Sequence, residues 1–394
     1  MGVSIMPNIR YTYKTLTKAD DNDDLIKSYA FILLENTTTG VFEFSGYSDF
    51  FFKYHTNAAL STLERSAKII VLFLNHVLID KKEEYGVRTI KDITIEIGNS
   101  FLTEYAYGRL GDENPKSKGT IQKAEAILGA FYKFLYKYGN MKHIKKSDLS
   151  DKRIFTVDYP IVVNKEVIHN IPPVVLKEFL KCSRETAPEI ALGVAFQVFG
   201  GLRASEVCNV SYGIIDAVKP IKSNNEFSWI TLDLRYERQM REDGVIVGGI
   251  KKPRIQPIHP AGMKYVSYLL NMHKKITPRY KYSDAVFIDE HGNPMTYHTY
   301  YDKFCKLKKD FIKHLQNQNN SVLSSHATFL ATKKWGSHLL RGCFSNLVAA
   351  NSKTPQEIAY WRGDSSLDSA IVYLQDTERM SKEIEDILFD INDL

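Results

Sequence analysis

The sequence predicts a mainly α-helical protein with small antiparallel β-sheets, an α+β chain of more than one domain. Three observations carry that expectation. Long stretches repeat apolar residues at helical spacing, as in Leu63, Ala67, Ile70, Val71 and Leu74, or Ile121, Ala124, Ile127, Leu128, Phe131, Phe134 and Leu135. Shorter runs near 9–47, 227–234 and 244–260 are rich in β-branched and aromatic residues and are bounded by turn residues. The chain has 394 residues, more than one hydrophobic core ordinarily serves.

Taken in order, residues 1–48 read as a small N-terminal β-rich extension. IRYTYKTLT, an acidic DDNDD turn, SYAFILLENTTTG and VFEFSGY suggest two or three short strands with an Asn/Thr/Gly turn. Residues 49–145 read as a helical domain. Ser61 or Thr62 is the expected cap of its first long helix. Ile97, Phe101, Leu102 and Tyr105 form the inward face of the next, and GDENPKSKG is a polar loop before a helix that starts near Lys118. Residues 146–170 read as an interdomain linker, basic and polar at first and then punctuated by proline.

Residues 171–394 form the next domain. PPVVLKEFLKCSRE is a helix with proline in its first turn, and PEIALGVAFQVFGGLR is apolar nearly all round, hence a buried helix. FSWITLDL and GVIVGGIKKPRIQPIHP read as strands, and GMKYVSYLLNMHKKI as an amphipathic helix. NQNNSVLSSHATFLATKKWGS reads as a polar loop that holds His326, Lys333 and Lys334. A helix then opens at His338 and stops at Asn351, Thr354-Pro355 restarts one, Gly363 breaks it, and a last short helix carries Tyr373. Ile384, Ile387, Leu388 and Ile391 line one face of an acidic terminal helix.

Composition narrows the function classes. The net charge of +6 and isoelectric point near 8.8 suit a polyanionic partner without identifying one. The four cysteines, Cys182, Cys208, Cys305 and Cys343, lie far apart with no CxxC pair, as expected of reduced thiols filling the core of a cytosolic protein. No secretory signal and no run long enough to span a membrane is read, so a membrane protein is not expected.

Two stretches carry chemistry. His338 and Arg341, three residues apart, share a helical face, where an imidazole and a forked guanidinium together suit a phosphate. Upstream, the buried helix ends at Gly200-Gly201 and delivers Arg203, with Glu206 three residues on. The ordered set Gly-Leu-Arg-x-Ser-Glu, His-x-Leu-Arg, then Gly-x-Ser-Ser followed by Tyr373 resembles the catalytic signature of the tyrosine recombinases, the phage, transposon and chromosome-dimer integrases. The resemblance covers 170–385 well, is looser over 50–150 and is absent before that.

The resemblance implies a two-domain, C-shaped DNA clamp, with a helical core-binding domain and a mixed catalytic domain joined by the linker. Lys116, Lys118, Gln122 and Lys123 would then meet phosphates, although an ordinary solvated helix face reads the same way. Lys142, Lys145, Lys146, Lys152 and Arg153 are equally phosphate contacts or solubilising charges. By the same resemblance Arg203 and Arg341 neutralise the scissile phosphate, Tyr373 attacks it, and His338 helps remove the tyrosine proton. A hairpin lysine protonates the leaving 5′ oxygen; Lys251 and Lys252 both qualify, Lys251 being preferred, and the other or Arg254 would touch the DNA backbone. Glu206 would orient an active-site group from behind. No metal, ATP or other cofactor is called for. The implied partners are double-stranded DNA and a homo-tetramer assembled by exchange of the C-terminal helix, in a bacterial, nucleoid-associated cytoplasmic setting.

One position departs from the family pattern. Asp364 stands where a histidine or tryptophan usually follows the glycine, and a carboxylate there is repelled by the phosphate. Trp361, Arg362 or Ser365 could take over that hydrogen bond, or Asp364 could orient Arg341. Two other readings share the residues: a type IB topoisomerase, and a DNA-binding relative with impaired chemistry.

Overall fold

In the computed structural model the described residues are 9–20, 23–54, 58–111, 114–139, 141–150, 153–161, 166–218, 227–352 and 354–363. They fall into two units, Met1–Asn164 and Lys165–Leu394, each with its own hydrophobic core. The protein is mainly helical, with two small three-stranded antiparallel sheets.

The first unit begins with the meander β1 (Ile9–Asp20), β2 (Asp23–Asn36) and β3 (Val41–Phe44). The strands foreseen as short include two of 12 and 14 residues. Asn36 makes the β2–β3 turn, its side-chain oxygen accepting the backbone N–H groups of Thr38 (3.0 Å) and Thr39 (3.2 Å) before Gly40 adopts a left-handed φ of 69°. Strand alternation sends Ala30 and Ile32 into the core of the helices that follow.

Those helices are α1 (Asp49–Lys53), α2 (Leu60–Asn75), α3 (Ile95–Ala106) and α4 (Lys118–Gly139). Their inward residues are the ones the periodicity selects: Leu63, Ala67, Ile70 and Leu74 on α2, Ile97, Phe101 and Leu102 on α3, and Ile121, Ala124, Leu128 and Phe131 on α4 are buried. The cap of α2 is not Ser61 or Thr62. The Ala59 carbonyl already accepts the N–H groups of Thr62 (2.8 Å) and Leu63 (3.1 Å), so the helix starts ahead of both hydroxyls. Ile144, Leu149, Phe155 and Val157 complete the same core.

The second unit is built on α5 (Pro173–Thr186) and α6 (Pro188–Gly200). Every α6 residue from Ile190 to Gly200 is buried, and its one polar side chain there, Gln197, accepts the Tyr300 hydroxyl at 2.7 Å. Around it follow α7 (Ala204–Cys208), β4 (Ile215–Val218), β5 (Trp229–Leu234), β6 (Arg254–Pro257), α8 (Met263–Ile276), α9 (Tyr297–Gln316), α10 (Ser321–Thr332), α11 (His338–Asn351) and α12 (Pro355–Arg362). Thr296 caps α9 by accepting the Thr299 N–H at 3.2 Å, and Thr354 caps α12 by accepting that of Glu357 at 3.3 Å.

In the second unit two further expectations are corrected. The run 244–250 is not a strand; only Arg254–Pro257 joins β5, and β4 supplies the third strand. The reason is local: Asn209 donates its side-chain amide to the Gly248 carbonyl and the Ile250 N–H donates to Glu237 at 2.7 Å, so side chains satisfy the backbone. A Cβ on Gly248 would run into the Ser205 carbonyl, and this close approach of loop to α7 is what the glycine permits. The stretch before His338 is not all loop. Asn320 accepts the N–H groups of Val322 (3.0 Å) and Leu323 (3.2 Å), and α10 follows with Leu323, Ala327 and Leu330 buried and His326 on its half-buried side.

Candidate active site

The site begins where α6 stops. Gly201 turns the chain with a left-handed φ of 62°, and a Cβ there would strike the Phe344 ring of α11, so the helix end and α11 meet at a position open only to glycine. Arg203 follows in extended conformation at the head of α7. Its N–H donates to Glu206 Oε2 at 2.9 Å and its Nη1 to Glu206 Oε1 at 3.0 Å. The Glu206 side chain is fully buried and also receives both Nη groups of Arg254, at 3.1 and 2.9 Å. Burial alone would push this carboxyl up, but the bonds and charge of Arg254, then the N–H and charge of Arg203, outweigh it and hold Glu206 below the ordinary carboxylate range. A carboxylate between two guanidiniums is thus ionised and fixes both.

Arg341 lies one helical turn into α11, buried, and donates to the Gly201 carbonyl at the end of α6 and the Arg362 carbonyl at the end of α12. His338, at the first turn, remains exposed. Its imidazole is pushed below its ordinary value, first by partial burial and then by the positive charges of Arg203, Arg341, Lys251 and His169. Four residues chosen from sequence therefore share one electrostatic neighbourhood: Arg203 from α7, Lys251 from the β5–β6 connection, and His338 and Arg341 from α11. That set can bind a phosphodiester and stabilise negative charge that develops on it, with a mostly neutral imidazole ready to accept a proton.

Lys251 and Lys252 both precede β6. Lys251 is exposed, while Lys252 is half-buried and its carbonyl accepts Arg254 Nη1 at 3.0 Å. Arg254, entertained from sequence as a DNA-backbone contact, has its guanidinium committed to Glu206 and, through Nε, to Gln256 at 2.6 Å. Gln256 donates in turn to the Trp361 carbonyl at 3.0 Å. The Trp361 ring is half-buried against His259, 6.2 Å away, and Arg362 is buried. Tyr373, Asp364, Ser365 and the terminal apolar stripe lie outside the described residues.

Sequence reasoning missed His169. Segment 166–169 is held beside the chain entering α11, the Ile168 N–H donating to the Lys334 carbonyl at 3.1 Å and the Lys334 N–H to the Glu166 carbonyl at 3.0 Å. A Cβ on Gly342 would run into the His169 carbonyl, so α11 and this segment touch backbone to backbone. Nothing in the local sequence signals that pairing, because its partners lie more than 160 residues apart, as the Lys333–Glu166 ion pair of |i−j| 167 also shows.

Of the residues suggested for phosphates on the first unit, Lys118, Gln122 and Lys123 are exposed on α4 and Lys116 is half-buried. Lys142 pairs with Asp92 at 2.9 Å and Arg153 with Glu125 at 3.2 Å; Lys152 is outside the described residues. All four cysteines are free thiols, three of them buried. Among the described residues no group of His, Cys, Asp and Glu is arranged to hold a metal ion, and no helix is long and apolar enough to cross a membrane.

No family model and no curated protein matches the sequence. Solved structures do match in fold. The Tn1549 transposon integrase, in complex with transposon right end DNA, superposes with a TM-score of 0.53 at 18% identity, covering 87% of this chain and 98% of that one. The XerH site-specific recombinase bound to its difH substrate gives a TM-score of 0.50 at 15% identity, covering 80% of this chain and 78% of that one. At such identities the likeness speaks to architecture, and it agrees with what the helices, the small sheet and the arginine-bearing helix ends display: the chain has the fold of the tyrosine recombinases and integrases.

Proposed function

We propose that this protein is a site-specific DNA recombinase of the integrase type, which cuts and rejoins double-stranded DNA through a 3′-phosphotyrosyl intermediate and moves a mobile genetic element. The observation that carries the reading is the convergence of Arg203, Arg341 and Lys251 on His338 within a recombinase fold. The DNA in the matching integrase and XerH structures supports the choice of partner.

In this reading the Tyr373 oxygen attacks phosphorus in line. The bond from phosphorus to the 5′ oxygen breaks, leaving a 3′-phosphotyrosyl link and a 5′ hydroxyl. The tyrosine proton passes to His338, and Lys251 gives a proton to the departing oxygen. Arg203 and Arg341 balance the charge that builds on the non-bridging oxygens. The covalent link conserves the bond energy, so rejoining is the same reaction run with the 5′ hydroxyl as nucleophile, and neither ATP nor a metal enters these steps. Four subunits, joined through the terminal apolar stripe, would carry out the paired exchanges.

The test is a suicide DNA substrate, nicked near the cleavage point and built from attachment sites sought in DNA flanking the gene. Wild type should form a denaturant-stable adduct and Tyr373→Phe should form none. Arg203→Ala and Arg341→Ala should each slow adduct formation by about 10²–10³-fold, the size of losing one preorganised charge-stabilising donor. Absence of an adduct on a site the protein binds would favour an impaired DNA-binding relative, with Asp364→His the first reversion to try. Relaxation of supercoiled DNA lacking any target site would favour a topoisomerase.

A further inference from the structure

We propose that Arg254 is a positioning residue that holds the general-acid lysine in register with the phosphate-binding arginine. The inference rests on the recombinase reading above. One guanidinium touches three separate parts of the site. Its two Nη groups grip Glu206, which in turn grips Arg203 through both backbone and side chain. Nη1 also donates to the Lys252 carbonyl at 3.0 Å, fixing the turn from which Lys251 projects. Nε donates to Gln256, whose amide holds the Trp361 carbonyl. The Arg254 stem lies flush with the end of α12: a Cβ on Gly363 would come 2.5 Å from Arg254 Cδ. The side chain is 10% exposed, so it serves the site through these neighbours rather than by meeting DNA itself.

The arrangement has a chemical consequence. Lysine at this position would keep one charge against Glu206 but could not fork onto both of its oxygens while also reaching the Lys252 carbonyl. Arg203 would stay paired with Glu206, and the Lys251 turn would lose its anchor. The defect should therefore fall on protonation of the leaving oxygen. A substrate carrying sulfur at the 5′ bridging position isolates that step, because a thiolate departs without needing a proton.

The experiment compares wild type, Lys251→Ala and Arg254→Lys on oxygen and 5′-thio suicide substrates, with binding to the uncleaved site and thermal unfolding measured alongside. Arg254→Lys is expected to cleave the oxygen substrate at least 10-fold more slowly than wild type, bind the site equally well, and return to within about 3-fold of wild type on sulfur, a pattern governed by the proton-transfer share of catalysis. Equal slowing on both substrates, or none on either, would overturn the inference. Arg254→Gln serves if the lysine variant does not fold, and failure of both to fold would assign Arg254 to the core of the fold instead. Lack of any wild-type adduct counts against the recombinase reading, and Lys251→Ala left unrescued by sulfur counts against Lys251 as the acid. Rescue of Lys251→Ala without rescue of Arg254→Lys counts against Arg254 alone.

Discussion

At the scale of single residues, two histidines of the second unit, His338 and His259, behave differently because their surroundings differ. His338 is lowered first by partial burial and then by the cations around it, and a bound phosphate would offset the second of these causes. His259 is buried, and its Nδ1 accepts the Ala261 N–H at 3.3 Å, which is a job for a neutral ring. Burial pushes it down from 6.5 to about 4. The unfolded chain therefore takes up a proton below pH 6.5 that the folded chain refuses, and stability is full above that pH and declines between 6.5 and about 4. At pH 5 this one group should cost about 2 kcal/mol, from 1.36 kcal/mol per unit. His259→Asn keeps an acceptor for the Ala261 N–H and removes the titration. Its urea-unfolding free energy should fall less than wild type's between pH 7.5 and 5, and equal losses in both proteins would exclude His259 as a source of acid lability.

At the scale of elements, the contact between α11 and segment 166–170 is the most exacting. Gly342 is where the His169 backbone lies on the helix, so Gly342→Ala forces the two apart. Overpacking of that kind costs about 1–3 kcal/mol. It would also move His338 relative to Arg203, so a fall in melting temperature should come with slower adduct formation; a variant that melts lower yet cleaves at the wild-type rate would show that the contact serves stability alone. The same element shows why reading the sequence reached only so far. Helices whose apolar residues recur on one face, such as α2, α4, α5 and α8, were legible, and so was α11, since its histidine and arginine share a turn. Helix α10 was not, because five serine and threonine residues dilute its stripe within SVLSSHATFLAT; the legible signal was the Asn320 cap. The run 244–250 looked like a strand because its β-branched residues are real, but Asn209 and Glu237 take its backbone groups, and no local pattern reports a partner 39 residues away. Likewise Arg203 and Glu206 were visible as a motif, while Arg254, 48 residues beyond Glu206, had to be seen in place.

At the scale of the whole molecule, the two units have different tasks in the proposed reaction, and they should fail differently. On α4 the exposed Lys118 and Lys123 present positive charge and Gln122 a neutral amide, without chemistry, whereas the second unit holds Arg203, Lys251, His338 and Arg341, the groups that the proposed reaction would use on phosphorus. Removing everything after Glu378 takes away the stripe Ile384, Ile387, Leu388 and Ile391. This should lower tetramer assembly on DNA, seen by analytical ultracentrifugation or gel shift, and leave binding by one subunit intact. Unchanged assembly would exclude the tail as the linking element.

The opening sheet has a consequence for anyone who wishes to shorten the protein. The backbone of Tyr11 is tied to α2 by a reciprocal pair of bonds: its N–H donates to the Asn75 side-chain oxygen at 2.8 Å, and the Asn75 amide donates back to its carbonyl at 2.8 Å. Asn75 thus acts as a one-residue extra strand, and Ala30 and Ile32 close the helical core from the same side. A truncation starting at residue 49 would follow the border that composition suggests. It would cut through a single cooperative core, stranding the amide of Asn75 and baring the aliphatic surface that β2 covers. Residues 9–20 and 23–48 belong to the folding unit as one of its walls, and a gene product shortened at residue 49 should be found in the insoluble fraction before it is ever assayed.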